Sequence, residues 1–406
     1  MNTLNATNPR AVDPAIVFTS CGLSSVHNRV DTLDPSPPAP LPSGEGSEQS
    51  QMACQPFRER STMAAQEPRL AAAAQSGSGS AQPAVRRREV VVKGRRVKTI
   101  DVHAHCLIPG ATKLLGEDAY QHHTGGIVME DATARLRDMD VQGIDMEALS
   151  INPFWYGADR DTAAEVVRLN NEGLVEICAR NPDRFVAFAS VALQFPDLAV
   201  QQLEHAVKKL GLRGAAVGAS VGDDEFADPK FHPFWRKCEE LDILIFLHPQ
   251  GTPDLARRLK GNGVLDNVIG NPLDTTIALS HLIFEGTLDM FPGLKICSAH
   301  GGGYLASYMD RSDHGCLTFP HRCNRTLKKR PTEYLKQLYY DALIFTPEAL
   351  RHLAANVGSS QIMLGTDYPY PWEDKAVDHI LGTPSLSDDE RIAILGETAA
   401  KLLRIQ

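Results

Sequence analysis

The 406-residue sequence has no apolar run approaching the roughly 20 residues needed to span a bilayer, so a membrane partner is not expected. Its first residues lack a charged start followed by an apolar core, and no secretory signal is read there. Positive charge is not in excess. Forty-one Lys+Arg against 50 Asp+Glu leave a formal charge of −9, which gives no support to a nucleic-acid or other polyanion partner. None of the eight cysteines falls in a Cys-x-x-Cys or other paired spacing. That excludes a zinc ribbon or a disulfide frame and predicts reduced, mostly buried thiols in a cytoplasmic protein.

Large apolar residues are also scarce over residues 1–87, where "DPSPPAPLPSGEGSEQSQ" and "AAAAQSGSGSAQPA" are rich in Pro, Ser, Gly, Ala and Gln. Such a stretch buries too little surface to offset the entropy of ordering it, and it reads as a disordered extension. Met52 and Met63 lie within it and offer alternative translation starts. Structured chain is expected over 88–406, opening with "RRREVVVKGRRVKT" as a short strand, a Lys-Gly turn and a run into the first core strand. Its arginines are expected to be solvated.

From there strands and helices alternate. Strand candidates are 98–103, 145–152, 184–193, 213–220, 243–249, 295–300, 338–344 and 361–367, separated by amphipathic stretches such as "AAEVVRLNNEGLVEICARNP" and "DLAVQQLEHAVKKLG". Eight apolar strands with helices between them predict an α/β fold, a (β/α)8 barrel. A doubly wound sheet would carry a glycine-rich phosphate loop after its first strand, and none is present.

In a barrel the C-terminal strand ends converge on one mouth. Strand 1 ends in "IDVHAH", placing His103 and His105 on one face because side chains alternate with period two. Strand 5 delivers His248 in "FLHPQG", strand 6 His300 in "SAHGGGY" and strand 8 Asp367 in "LGTDYPYPW". Singly, each has a bland reading: a core histidine, a turn-capping aspartate, glycines that merely permit a turn. Together they supply what a divalent metal takes in a catalytic site, neutral imidazoles plus a carboxylate. His103, His105, His248 and Asp367 form the expected ligand set, with His300 left as acid–base beside a metal-bound water. One divalent ion per chain is expected, Zn2+ before Mn2+.

In order and spacing, "IDVHAH", "FLHP", "AHGGG" and "LGTDYPYP" resemble the amidohydrolase superfamily. They are most similar to its metal-dependent decarboxylase branch, typified by aminocarboxymuconate-semialdehyde decarboxylase. The resemblance runs from about residue 98 to 405. It implies a carboxy-lyase acting on a small unsaturated or aromatic carboxylic acid, with His300 and Asp367 in catalysis. A hydrolase or hydratase of a related carboxylate is the alternative. Dinuclear members of the superfamily use a carboxylated lysine on strand 4, which here reads "LRGAAVGAS", so the resemblance implies a single metal. Benzoate-type members often begin with Glu-x-His, whereas this chain keeps His-x-His. The resemblance also implies a homodimer in which Arg311, eleven residues after His300, reaches the carboxylate in a neighbouring site. A second family arginine has no counterpart in "YQHHTGGIVMEDATARL" before Arg135, which the pattern assigns to a helix. The loop "NPFWYGADR" is expected to bring Phe154 and Trp155 over the mouth to pack against substrate.

Overall fold

The computed structural model describes residues 86–116, 132–323, 326–372 and 375–406. All of them belong to the second of two compact units, Leu70–Gln406. The expectation of a disordered extension over 1–87 therefore falls, up to residue 85, outside the described residues. At its end it is corrected, because Arg87 is already tied down by an ion pair to Asp145.

The described chain opens with an antiparallel pair, Val90–Val92 on Arg95–Val97, turning at Lys93 and Gly94. Both turn residues have positive φ, at 54° and 75°, the backbone hand that suits a two-residue hairpin loop. The flanking arginines are largely exposed, as the sequence suggested, but several are also paired. Arg96 pairs with the buried Asp145 and Arg88 with Asp378, partners far away along the chain.

Eight parallel strands follow. They are β1 Ile100–His105, β2 Met146–Ser150, β3 Phe185–Ala187, β4 Gly214–Val217, β5 Leu244–Leu247, β6 Lys295–Ser298, β7 Tyr339–Asp341 and β8 Ile362–Met363. β1 to β3 and β4 to β8 form two runs of parallel neighbours. A bridge between Ala189 and Ala215 joins β3 to β4, and one between Ala104 and Tyr368 returns the chain after β8 to β1. The ring closes, as expected of a (β/α)8 barrel.

The helices between strands are α1 Thr133–Gln142, α2 Arg160–Arg180, α3 Pro196–Lys208, α4 His232–Leu241, α5 Asn271–Phe284, α6 Leu305–Thr318 and α7 Pro347–Val357. The start of α2 shows why the pattern is local: Asp159 caps it by accepting from the amides of Asp161 and Thr162. Alternation along β5 then sorts the core. Leu244 and Phe246 join one apolar cluster with Ile100 and Val102, while Ile245 and Leu247 join the other with side chains of the surrounding helices. Each fully buried Leu or Phe of this kind contributes about 1.5–3 kcal/mol.

The cysteines depart from expectation in one place. Cys106, Cys178, Cys238 and Cys297 are free thiols, but Cys316 and Cys323 form a disulfide at the end of α6. The seven-residue separation gave no paired-cysteine pattern, and it is the turn after α6 that brings the two sulfurs together.

Candidate metal centre

The strand ends meet as the sequence implied. The register of β1 against β2 shifts between Asp101 and Ala104, a bulge of the kind that re-aims side chains, and His103 and His105 project together beyond it. His103 Nε2 lies 3.1 Å from His105 Nε2, and Asp367 Oδ1 lies 3.1 Å from the first and 3.0 Å from the second. The His248 ring stands 4.6 Å from that of His105 and 5.3 Å from that of His300, centre to centre. The ligand atoms of His103, His248, His300 and Asp367 all lie within 4.8 Å of one another. The five groups named from sequence thus share one cavity end.

Each imidazole is oriented by what its other nitrogen touches. His103 Nδ1 is 2.6 Å from Asp341 Oδ2, and His248 Nδ1 is 2.8 Å from the Pro249 carbonyl oxygen. His105 Nδ1 is 2.9 Å from Ser150 Oγ, whose hydroxyl donates to the Ala104 carbonyl and therefore accepts from the ring. A neutral imidazole that donates through Nδ1 presents its Nε2 lone pair, so three lone pairs face inward. His300 differs, since its Nδ1 is buried without a hydrogen-bond partner and its Nε2 lies 3.8 Å from Asp367 Oδ2.

Asp367 Oδ1 is likewise buried and receives no hydrogen bond. A carboxylate oxygen facing imidazole lone pairs at about 3 Å is repulsive unless positive charge sits among them. The titration behaviour says the same. Burial disfavours the charged form of His103, yet Asp367 and Asp341 override it and carry the imidazole up to about 10. Burial lowers His105, and burial together with the neighbouring histidines holds His248 well below the ordinary value. Burial would raise Asp367 and Asp341, but the charge of His103 keeps Asp367 well below the usual carboxylate range, and its hydrogen bond and charge keep Asp341 below it too. The two carboxylates call for positive charge: a proton on His103 supplies it here, and a divalent cation held by the imidazole nitrogens and Asp367 would supply it in that proton's place, so these residues fit one.

Backbone strain accompanies the chemistry. His300 and Asp367 both lie in the left-handed region, at φ 55° and 62°, which costs a non-glycine residue about 1–3 kcal/mol. The glycines after His300 serve close packing: a Cβ on Gly303 would meet the Pro272 carbonyl oxygen at 2.1 Å. That approach seats the start of α5 beside the mouth.

Some participants were not legible in advance. Asp341 accepts from the amides of His300 and Gly301 as well as from His103, tying β7 to two other strands' chemistry. Arg135 lies on α1 and is buried under β1, donating to Glu147 at 2.7 Å and to the His105 carbonyl, with Tyr368 stacked 4.5 Å away. The stretch 117–131 before it lies outside the described residues.

Trp155 is a correction. It is fully buried, its indole donating to the Val191 carbonyl, so it is part of the core rather than of the mouth. Phe154 packs half-buried beside it. Two adjoining cavities at the cluster, of about 280 and 440 Å³, are lined by neither aromatic and not by Arg311, which is exposed on α6. From that loop it is Asn152 that lines the smaller cavity.

Comparison with known proteins agrees with this geometry. Residues 100–405 match the family described as Amidohydrolase. The chain is 32% identical over 285 residues to gamma-resorcylate decarboxylase of Rhizobium radiobacter, covering 67% of this chain and 86% of that protein. It is 28% identical over 276 residues to 2-amino-3-carboxymuconate-6-semialdehyde decarboxylase of Dictyostelium discoideum, covering 67% and 76%. Among solved structures it resembles dihydroxybenzoic acid decarboxylase from Polaromonas, crystallised with manganese and 2-nitroresorcinol. That likeness has a TM-score of 0.66 and 27% identity, covering 76% of this chain and 97% of the other.

Proposed function

The chain belongs to the amidohydrolase family, and from that membership we propose that it is a metal-dependent carboxy-lyase releasing carbon dioxide from a small aromatic or conjugated unsaturated carboxylic acid. One observation carries the reading. Three imidazoles are each held at Nδ1 by an oxygen, the Nε2 atoms of His103 and His105 lie 3.1 and 3.0 Å from the unpartnered Oδ1 of Asp367, and the fourth imidazole, His300, is held at neither nitrogen. The first three and Asp367 would hold one divalent ion. Zn2+ suits three imidazoles and a carboxylate, and Mn2+ is the ion crystallised in the Polaromonas relative.

When bound, the cation supplies a Lewis acid for the oxygens of the substrate. The remaining work falls to the chain. Breaking the bond to the carboxylate leaves its electron pair on the ring or alkene carbon, and a proton must reach that carbon. His300 supplies this proton, with Asp367 Oδ2, 3.8 Å from its Nε2, as the relay, and is reprotonated from solvent after carbon dioxide leaves. An imidazole without a fixed outer partner changes protonation state with little reorganisation, which suits the task. Asp341 acts through others, fixing the His103 ring and the His300 backbone.

Arg311 enters through assembly. Its exposure on α6, away from its own cavity, supports a homodimer in which it reaches the carboxylate in the other copy's site. A cytoplasmic location belongs to the same reading and is supported by the four free thiols, whereas the Cys316–Cys323 bridge speaks against it. Among the described residues no helix is long and apolar enough to cross a membrane.

The test is incubation of metal-loaded protein with a panel of unsaturated and aromatic carboxylates, measuring carbon dioxide and ring-opened or hydrated acids together. Stoichiometric carbon dioxide is expected. Hydrated or ring-opened acids without carbon dioxide would transfer the site to the hydrolase or hydratase class.

A further inference from the structure

The cavity at the metal cluster has two arms of opposite character. The inner arm, about 280 Å³, is lined by His248, His300 and Asp367 together with the amides of Asn152 and Gln250. The outer arm, about 440 Å³, opens between Val268, Leu343, Phe345 and Trp372. Asn267, Asn271, His300 and Trp372 line both, so the arms are continuous. Phe345 and Trp372 pack against each other as a tilted pair, ring centres 6.3 Å apart, and they remain 58% and 39% exposed. No Lys or Arg lines either arm among the described residues, and the sequence of 117–131 contains neither.

These features constrain the ligand. The outer arm offers an anion little but apolar surface, so a charged substituent there would lose its hydration for little in return. An alkyl or aryl group has the opposite preference, since it loses water against the two aromatic faces. The inner arm is too polar for such a group, with its amides and carboxylate. One molecule spanning both arms therefore carries its carboxylate at one end and apolar bulk at the other.

We propose that the outer arm is a tail site, and that the substrate is an acid whose ring or chain bears an apolar substituent packed against the paired rings of Phe345 and Trp372. The identity of the head group rests on the decarboxylase reading, but the tail site does not. Continuity with the catalytic cavity makes a substrate tail the occupant, rather than a second protein chain.

The experiment separates the two. Resorcinol and its 4-alkyl homologues lack a carboxylate, so their binding to metal-loaded protein requires no turnover. Calorimetry is expected to show affinity rising roughly three- to four-fold per added methylene, until the arm is filled. Quenching of the half-exposed Trp372 should track it, because the other two tryptophans, Trp155 and Trp235, are fully buried. Phe345→Ala and Phe345→Asp should flatten the dependence on chain length, and because Phe345 is exposed both are expected to fold, which circular dichroism checks. In parallel, the ratio of kcat/KM for 4-alkyl over unsubstituted 2,6-dihydroxybenzoate should fall about ten-fold in Phe345→Ala. A length-independent affinity in the parent, or an equal fall for both acids, overturns the proposal. So does a Phe345→Ala chain whose oligomeric state changes while the ratio stays, because the face then belongs to an interface between copies. Length-dependent binding without carbon dioxide release would leave the tail site standing and remove the decarboxylase.

Discussion

The two ends of the barrel carry the same kinds of groups in opposite arrangements. At the N-terminal end, Asp145 is only 4% exposed, and both of its oxygens are answered. Oδ1 accepts from Arg87 at 2.5 Å and Arg96 at 2.6 Å, and Oδ2 from Arg96 at 2.8 Å and the Thr99 amide at 2.9 Å. At the C-terminal end, Asp367 is equally enclosed, yet its Oδ1 receives no hydrogen bond and faces imidazole nitrogens. A buried carboxylate with all its donors fastens the N-terminal hairpin to the barrel. A buried carboxylate without them is a site for a charge that arrives from outside. The contrast teaches where to look for function: not where charge is buried, but where buried charge is left unanswered by the chain.

The largest effects should come from the unanswered end. His248→Ala is expected to lose most of its metal and all measurable turnover. Its urea midpoint, compared with the parent with both free of cation, should shift far less than for any change at Asp145. If loss of the metal were matched by collapse of the cation-free fold, the mouth would be structural after all, and the comparison would fail. His300→Asn should keep its cation and lose turnover by about 10²-fold or more, as expected when a general acid–base is removed.

At the answered end, Asp145→Asn should leave metal content unchanged and cost about 2 kcal/mol of stability by urea titration, less than a fully buried pair because both arginines are partly exposed. The sign of its pH dependence follows from its environment. Burial would raise this carboxyl, but Arg96, the Thr99 amide and Arg87 hold it below its ordinary value. Its contribution is therefore complete above the unfolded carboxyl range near pH ~4, and is lost as pH falls through the lower folded value. Parent and variant should converge in stability on acidification. Divergence instead would show that the ion pairs do not stabilise the fold.

The smallest change sharpens the distinction within the mouth. Ser150→Ala removes the acceptor that orients His105 Nδ1, and metal affinity should weaken by roughly 10-fold with the fold intact. An unchanged affinity would mean that His105 is held by packing alone.

Much of the mouth was legible because its signal is abrupt. A run of apolar strand residues ending in histidine, as at His248 after four such residues, has few readings, and three such ends with a fourth ending in aspartate, all in one order, leave fewer. The eight strands were legible for the same reason, although most proved shorter than their apolar runs. What was hidden depends on distance along the chain. Asp145 lies 58 residues from Arg87 and 49 from Arg96, so nothing local told that these exposed arginines are also paired. Asp341 and Ser150 are polar residues inside or ending buried strands, a signal that was present but weaker than a histidine. Trp155 shows the reverse error, since an aromatic in a loop after a strand reads the same whether it covers the mouth or fills the core. The apolar residues of the tail site come from three separate segments, and only the fold brings Val268, Leu343, Phe345 and Trp372 together.

Equilibrium dialysis against Zn2+ and Mn2+, with elemental analysis of the parent, His105→Asn and His300→Asn side by side, reaches the central claim most directly. Three oriented imidazoles and Asp367 as ligands, with His300 apart, predict about one ion per chain in the parent, nearly none in His105→Asn at the same free concentration, and about one in His300→Asn. Two ions in the parent, or an empty His300→Asn beside a loaded His105→Asn, would contradict it.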